Sequence, residues 1–356
     1  MIVGVPRETK AGERRVALVP RAVEELTGAG HDVHVEMRAG REVGFDDDAY
    51  RDAGATIVSA REAWDADVVV KVKEMQAEDL AIAPRGSTIF AFHHLAGEPR
   101  RTRTLAERGL TAIAFEAVRD ARNHFPILAP MSRIAGRMSI DVAEEILGRP
   151  PARVLVLGAG HAGLAAARAA VARGAKVVVL TRSGRTCDTV RAQGFSAEVA
   201  DAESLDRHAL SADLVVGAVF AAGEPTPKLL PRARVARMRP GSMIVDICIE
   251  EGGVAETSRP TTHAQPTYVE EGVVHYCVGN MPAARPAEAA AAISEAALPY
   301  VLDMAREGVA AALLANPELR AGVLLWQGRV THPAIAAEAG LTYAELTDND
   351  LAEAMP

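Results

Sequence analysis

Apolar residues in the first third of the chain come in short runs separated by helical stretches. IVGVP at 2–6, HDVHVEM at 31–37, ADVVVKVK at 66–73, STIFAFHHL at 87–95 and LTAIAFEAV at 110–118 read as strands. RAVEELTGAG at 21–30 has the spacing of an amphipathic helix stopped by glycines. Such alternation predicts a mostly parallel sheet with helices on its faces. A helical pattern over 131–147 is broken by GRPPA at 148–152, because proline removes a backbone donor and pushes the preceding residue out of the helical region. A second alternating series follows: RVLVLG, AKVVVLT, ADLVVGAVF, GSMIVDICIE and VVHYCVGN, ending at Asn280. Beyond it the pattern is helical. These periods predict an α/β protein of two doubly wound Rossmann-like domains, the outer one discontinuous. The outer domain is expected at 1–127 plus 301–356 and the inner one at 128–300. The tail is expected to be helical and to pack back on the outer domain.

The length of 356 residues suits two domains, and with aromatics at only 4% their cores must be built from Ala, Val, Leu and Ile. A net charge of −8 argues against a nucleic-acid partner, which would call for a basic face. The three cysteines, Cys187, Cys248 and Cys277, form no CxxC pair, so neither a disulfide framework nor a metal site is expected. Cys248 and Cys277 lie in apolar runs and read as core residues. The N-terminus MIVGVPRETK reaches charge too early for a signal peptide, and no apolar run approaches bilayer length. A cytoplasmic protein without membrane contact is the expectation.

The most specific chemistry follows the strand RVLVLG. Gly158-Ala159-Gly160-His161-Ala162-Gly163 joins that strand to an Ala-rich helix, which is the context that makes a GxGxxG run a dinucleotide site. Gly158 permits the tight turn, Gly160 lets backbone approach a pyrophosphate, and Gly163 lets helix pack on strand. The helix start, with His161 and Ala162, offers free N–H groups to the phosphates. At the end of the next strand stands Thr181, where an NAD site usually has an acidic residue, followed by Arg182, Ser183 and Arg185. That set suits a 2′-phosphate, so NADP is expected to be preferred, with NAD possible.

The chain resembles the alanine dehydrogenase family, which includes the NAD-binding subunit of proton-translocating transhydrogenase. The resemblance rests on VGVPRETKAGERRVALVP at 3–20, VVVKVKE at 68–74, FAFHHLAG at 90–97, LAPMSRIAGR at 128–137, the glycine loop, VDICIEEGG at 245–253, SRPTT at 258–262 and YCVGNMP at 276–282. It implies that Arg15 holds a substrate carboxylate, that Lys73 polarises the carbonyl, and that His94 is the acid/base group. These are sensible residue types: a planar fork, a desolvated donor and a group that titrates near neutrality. It also implies Met131 and Arg133 beside the substrate, and Val219, Asn280 and Met281 beside the cofactor.

Three departures from the family pattern shape the functional expectation. Ala264 stands where the family has a second catalytic aspartate, Arg133 replaces an acidic residue, and the family's Gly-rich hairpin is reduced to GRPPA. The expected enzyme is therefore an NAD(P)-dependent dehydrogenase or reductase acting on a 2-oxo, imino or 2-amino acid other than alanine, larger or more acidic than pyruvate. It is expected to form a homo-oligomer, a dimer at least. A cofactor-binding homologue without turnover and an ordinary alanine dehydrogenase stay open as alternatives.

Overall fold

Valine-rich runs form the centre of both sheets, as buried parallel strands require. The structure is a computed structural model that describes residues 1–219 and 226–355. Phe220, the last residue of the expected strand 212–220, lies outside the described residues. The chain divides into two units, Met1–Pro130 with Arg285–Pro356, and Met131–Ala284.

In chain order the first unit supplies β1 (Ile2–Val5), β2 (Asp32–Glu36), β3 (Thr56–Val58), β4 (Val68–Val70), β5 (Thr88–Ala91) and β6 (Thr111–Ala114). The second supplies β7 (Arg153–Leu157), β8 (Lys176–Thr181), β9 (Ser196–Val199), β10 (Leu214–Gly217), β11 (Met243–Asp246), β12 (Thr267–Glu270) and β13 (Val273–Tyr276). The chain then returns to the first unit with β14 (Val323–Trp326) and β15 (Arg329–Val330). The first sheet runs β15-β14-β6-β5-β4-β1-β2-β3, with β14 and β15 antiparallel additions to a parallel set. The second runs β12-β13-β11-β10-β7-β8-β9, with only β12 antiparallel. Each parallel set is doubly wound, and its strand order reverses beside its first strand, at β1/β4 and at β7/β10. Loops at the carboxyl ends of strands flanking such a reversal are where open α/β sheets bind ligands.

Each unit has its own core. In the first, Trp64, Val69, Ile89, Leu105, Leu110 and Leu325 pack together; in the second, Leu155, Leu180, Val215, Ile244 and Val254 do. Cys187, Cys248 and Cys277 are all buried. No helix is long and apolar enough to cross a membrane among the described residues.

Three differences from the sequence reading bear on function. The strands expected to end at 73, 95 and 118 stop at Val70, Ala91 and Ala114, so the chemistry-bearing residues beyond them sit in loops. The crossings between units fall after Pro130 and after Ala284 rather than after 127 and 300. Helix Pro286–Glu307 belongs wholly to the first unit, where the Ser294 hydroxyl accepts the Val19 N–H. The tail is not purely helical, since it delivers β14 and β15 to the first sheet.

Candidate active site

Arg15, Lys73 and His94 all belong to the first unit, each held by a carboxylate. Arg15 lies between β1 and helix Pro20–Gly28, nearly fully buried. Its Nε and Nη2 donate to the two oxygens of Glu13, at 2.7 and 2.5 Å. This forked pair fixes the plane of the guanidinium.

Lys73 follows β4 and is also buried. Beyond Val70 the chain turns its backbone N–H groups to a side chain: Glu8, from the loop after β1, accepts the N–H of Val72 at 2.6 Å and of Lys73 at 3.2 Å. Burial raises the Glu8 carboxyl above its ordinary value, against the opposing pull of the Lys71 ammonium. Lys71 is fully buried between Asp79 at 2.7 Å and Glu8 at 3.5 Å. Burial disfavours its charge, but Glu8 and Asp79 outweigh burial and raise it. A buried charge left without its partner costs several kcal/mol, about 3–5, so this triad is part of what holds the Lys73 loop.

His94 follows β5 and has a left-handed backbone, φ 46°. For a residue with a Cβ that conformation costs on the order of 1–2 kcal/mol. Its N–H donates to Glu116 at 2.7 Å, and its carbonyl accepts from Arg101 Nη1 at 3.2 Å. The residue is exposed, and its ring stacks on Phe92, 5.8 Å between centroids and 11° between planes. Lys73 Nζ lies 3.2 Å from His94 Nε2. An ammonium only donates, so the neutral imidazole accepts at Nε2 and carries its proton on Nδ1. The packed surroundings and the Lys73 ammonium both push His94 below its ordinary value, leaving it neutral at pH 7. His93 is completely buried, its Nε2 3.2 Å from the Ile89 carbonyl oxygen, and its pKa is pushed down to about 4 by burial. It is a core residue.

The glycine loop lies in the second unit. Gly158 has φ 104°, and a Cβ there would stand 2.3 Å from the Ala218 carbonyl oxygen; a Cβ on Gly163 would stand 2.0 Å from the Gly158 carbonyl oxygen. Both glycines are demanded by packing. Gly160 is different. Its backbone is extended (φ −75°, ψ −173°), it precedes helix His161–Ala172, and a Cβ there would meet nothing within 4 Å. Neither dihedral nor packing calls for glycine at this position, whereas close approach of a ligand to the backbone does. The loop therefore fits a dinucleotide pyrophosphate. Val219 follows β10, and Asn280 (φ 51°) precedes the buried Met281.

The residues expected to read a 2′-phosphate divide. Thr181 is buried, and its hydroxyl is spent on the Ser183 carbonyl oxygen at 2.9 Å and lies 3.1 Å from Cys187 Sγ. Ser183 caps helix Gly184–Arg191 by accepting the Thr186 N–H. Arg182 and Arg185 are exposed. Arg133 is exposed on helix Leu128–Leu147, and Met131 is buried on it. Glu116 is engaged by the backbone N–H groups of His93 and His94. Ala264 lies in an exposed, irregular segment before β12.

The model described as alanine dehydrogenase/PNT, N-terminal domain matches residues 4–135, and that described as alanine dehydrogenase/PNT, C-terminal domain matches 129–333. The chain belongs to the alanine dehydrogenase family. The alanine dehydrogenase of Halomonas elongata is 41% identical over 97% of this chain and 98% of its own length. Those of Mycobacterium tuberculosis and Bacillus subtilis are 39% and 38% identical, over 97% and 96% of this chain and 98% and 96% of their own lengths. A solved L-alanine dehydrogenase superposes with a TM-score of 0.90 at 37% identity, covering 95% of this chain and 99% of its own. A transhydrogenase from Sinorhizobium meliloti gives 0.82 at 27%, covering 94% and 100%. As a member of the alanine dehydrogenase family the chain has an oxidoreductase fold over nearly its whole length. The similarity gives no support to a preference for NADP, nor to a substrate other than alanine.

The carboxylates Glu8 and Glu13 went unread in the sequence, although both stand in the run PRETKAGERR. Their signal is spacing: each acid lies within a few residues of a basic group in a segment that ends buried.

Proposed function

We propose that this protein is an alanine dehydrogenase, interconverting L-alanine with pyruvate and ammonium at the expense of a nicotinamide dinucleotide. The expectation of a more acidic substrate finds no support among the relatives, which are alanine dehydrogenases. The observation that carries the reading is the 3.2 Å approach of Lys73 Nζ to His94 Nε2, in the unit that also holds a buried Arg15 fixed by Glu13. Arg15 and Lys73 provide two cationic groups for an α-oxo carboxylate, one for the carboxylate and one for the carbonyl oxygen. Gly158, Gly160 and the N–H groups at the start of helix His161–Ala172 would hold the pyrophosphate. A bound nicotinamide would supply the hydride acceptor or donor for the alanine Cα. His94 would take the proton from the water that adds to the resulting imine and pass it to the amino nitrogen as the C–N bond breaks and ammonium leaves, the reverse direction retracing these transfers. Ala264 places that task on His94 alone among the family's two proton-handling positions. Assembly into a homo-oligomer is part of the proposal and is measurable by light scattering.

Steady-state kinetics with pyruvate, 2-oxobutyrate, glyoxylate, oxaloacetate and 2-oxoglutarate, each with and without ammonium, test the reading. Pyruvate with ammonium is expected to give the highest kcat/KM. A dicarboxylic oxo acid in first place, or equal rates without ammonium, overturns it. The same series with NADH and NADPH shows what the exposed Arg182 and Arg185 contribute.

A further inference from the structure

His94 has a strained, left-handed backbone, and its peptide neighbours are tied at both ends. Glu116, two residues past the end of β6, reaches across to the loop after the neighbouring β5. Its Oε1 accepts the His94 N–H at 2.7 Å and the His93 N–H at 3.2 Å, and its Oε2 lies 3.3 Å from the His93 N. Arg101 donates to the His94 carbonyl at 3.2 Å. Below the turn, the buried His93 ring is moored to the Ile89 carbonyl.

We propose that Glu116 is a positioning residue for His94, its carboxylate holding the left-handed turn that brings the imidazole to Lys73. This rests on the reading of His94 as the proton-handling group. A backbone at φ 46° persists only where its surroundings over-determine it. Without an acceptor, two successive N–H groups at the strand end lose their partner, and the His94 backbone is free to relax to negative φ. That change swings the Cα–Cβ direction and takes the ring off Phe92 and away from Lys73 Nζ. The same device appears one strand over, where Glu8 accepts the N–H groups of Val72 and Lys73. Two adjacent strand ends thus each present a reactive side chain on a pair of N–H groups gathered by a neighbour's carboxylate. The Lys73 loop carries its own counter-charge in Lys71, and Glu116 is raised to about 7 by burial, so its part here is as an acceptor whose reach matters more than its charge.

Full-length Glu116→Gln, Glu116→Asp, Glu116→Ala, His94→Ala and the double variant His94→Ala/Glu116→Ala test the assignment. Glu116→Gln keeps an oxygen at the same reach, and its kcat is expected to stay within about tenfold of wild type. Glu116→Asp keeps the charge but is one methylene short, and Glu116→Ala keeps nothing. Losses of about tenfold and about a hundredfold in kcat are expected, the scale of a 1 Å misplacement, with the KM for the nicotinamide nearly unchanged. In the His94→Ala background the Glu116→Ala change is expected to cost less than about threefold, because a residue acting through another is not additive with it. The His94 ring resonance, assigned by its loss in His94→Ala, is expected to move in Glu116→Asp and to stay near its wild-type place in Glu116→Gln. Glu116→Gln as damaging as Glu116→Ala, or independent losses in the double variant, would overturn the proposal in favour of a proton-carrying Glu116. So would a His94 resonance indifferent to Glu116→Asp. The resonance is readable even if no oxo acid is turned over, so failure of the positioning role and failure of the proposed reaction are separable.

Discussion

At the scale of single residues, packing and then Lys73 push His94 towards its neutral form, against the smaller opposing pull of Glu74. Removing the cation in Lys73→Met is expected to raise the midpoint of the His94 ring titration, read by NMR, while His93 keeps its low value. An unchanged midpoint would show that Lys73 is not the charged neighbour described. Glu116 gives the opposite sign in stability. Its folded-state pKa of about 7 lies above the ordinary 4.5, so the folded state holds the proton more tightly. Its contribution is present below about 4.5 and is lost as pH rises towards 7. The melting temperature of Glu116→Gln is therefore expected to gain on that of wild type as pH rises through this window. A difference that stays flat from pH 4.5 to 7 counts against the raised pKa.

At the scale of elements, the glycine loop separates what packing requires from what a ligand requires. Gly163→Ala drives a Cβ to 2.0 Å from backbone, and a loss of several kcal/mol, about 2–4, is expected as the helix is forced off the strand. Gly160→Ala enters open space, so it is expected to leave the melting temperature within about 2 °C of wild type, a shift of no more than about 1 kcal/mol. It should nonetheless weaken dinucleotide binding by about tenfold, or 1.4 kcal/mol. Thermal melts and fluorescence titration of the two variants check both halves. Much of this was legible in the sequence, since the strand, glycine turn and helix follow one another in a period that only one architecture uses. The strand ends were not. VKVK, FHHL and IAFEAV continue the apolar pattern past the last paired residue because Val72, Phe92, Leu95, Phe115 and Val118 are buried in loops. Periodicity reports burial and cannot tell a paired strand from a buried turn. The acids that matter were hidden for a related reason: an acidic residue in a loop reads as solvated, and the N–H groups that recruit Glu8 and Glu116 exist only because the strands stop early. β14 escaped notice because four residues, VLLW, lie between helical stretches.

At the scale of the whole chain, the first unit is completed from its far end. β14 pairs with β6 through Val323–Ile113 and Leu325–Ala112, and the Ala114 N–H donates to the Gly322 carbonyl at 2.7 Å. A chain ended at Glu307 is expected to leave the β6 edge open and the first unit prone to aggregation. The second unit is expected to survive limited proteolysis as a fragment near 131–284. A truncated chain that stays soluble with β6 protected from hydrogen exchange would show that β14 is dispensable. The order of synthesis gives this arrangement a further consequence. On the ribosome, residues 1–130 emerge before the inserted unit, yet the strands that complete their sheet leave the exit tunnel after the whole of it. Nascent chains must therefore carry an unsealed sheet edge through most of translation, while the inserted unit folds ahead of it. Slow codons or a stalled ribosome between β13 and β14 would lengthen that exposure, and a trigger-factor-like holdase would find its substrate in the β6 edge rather than in either finished core.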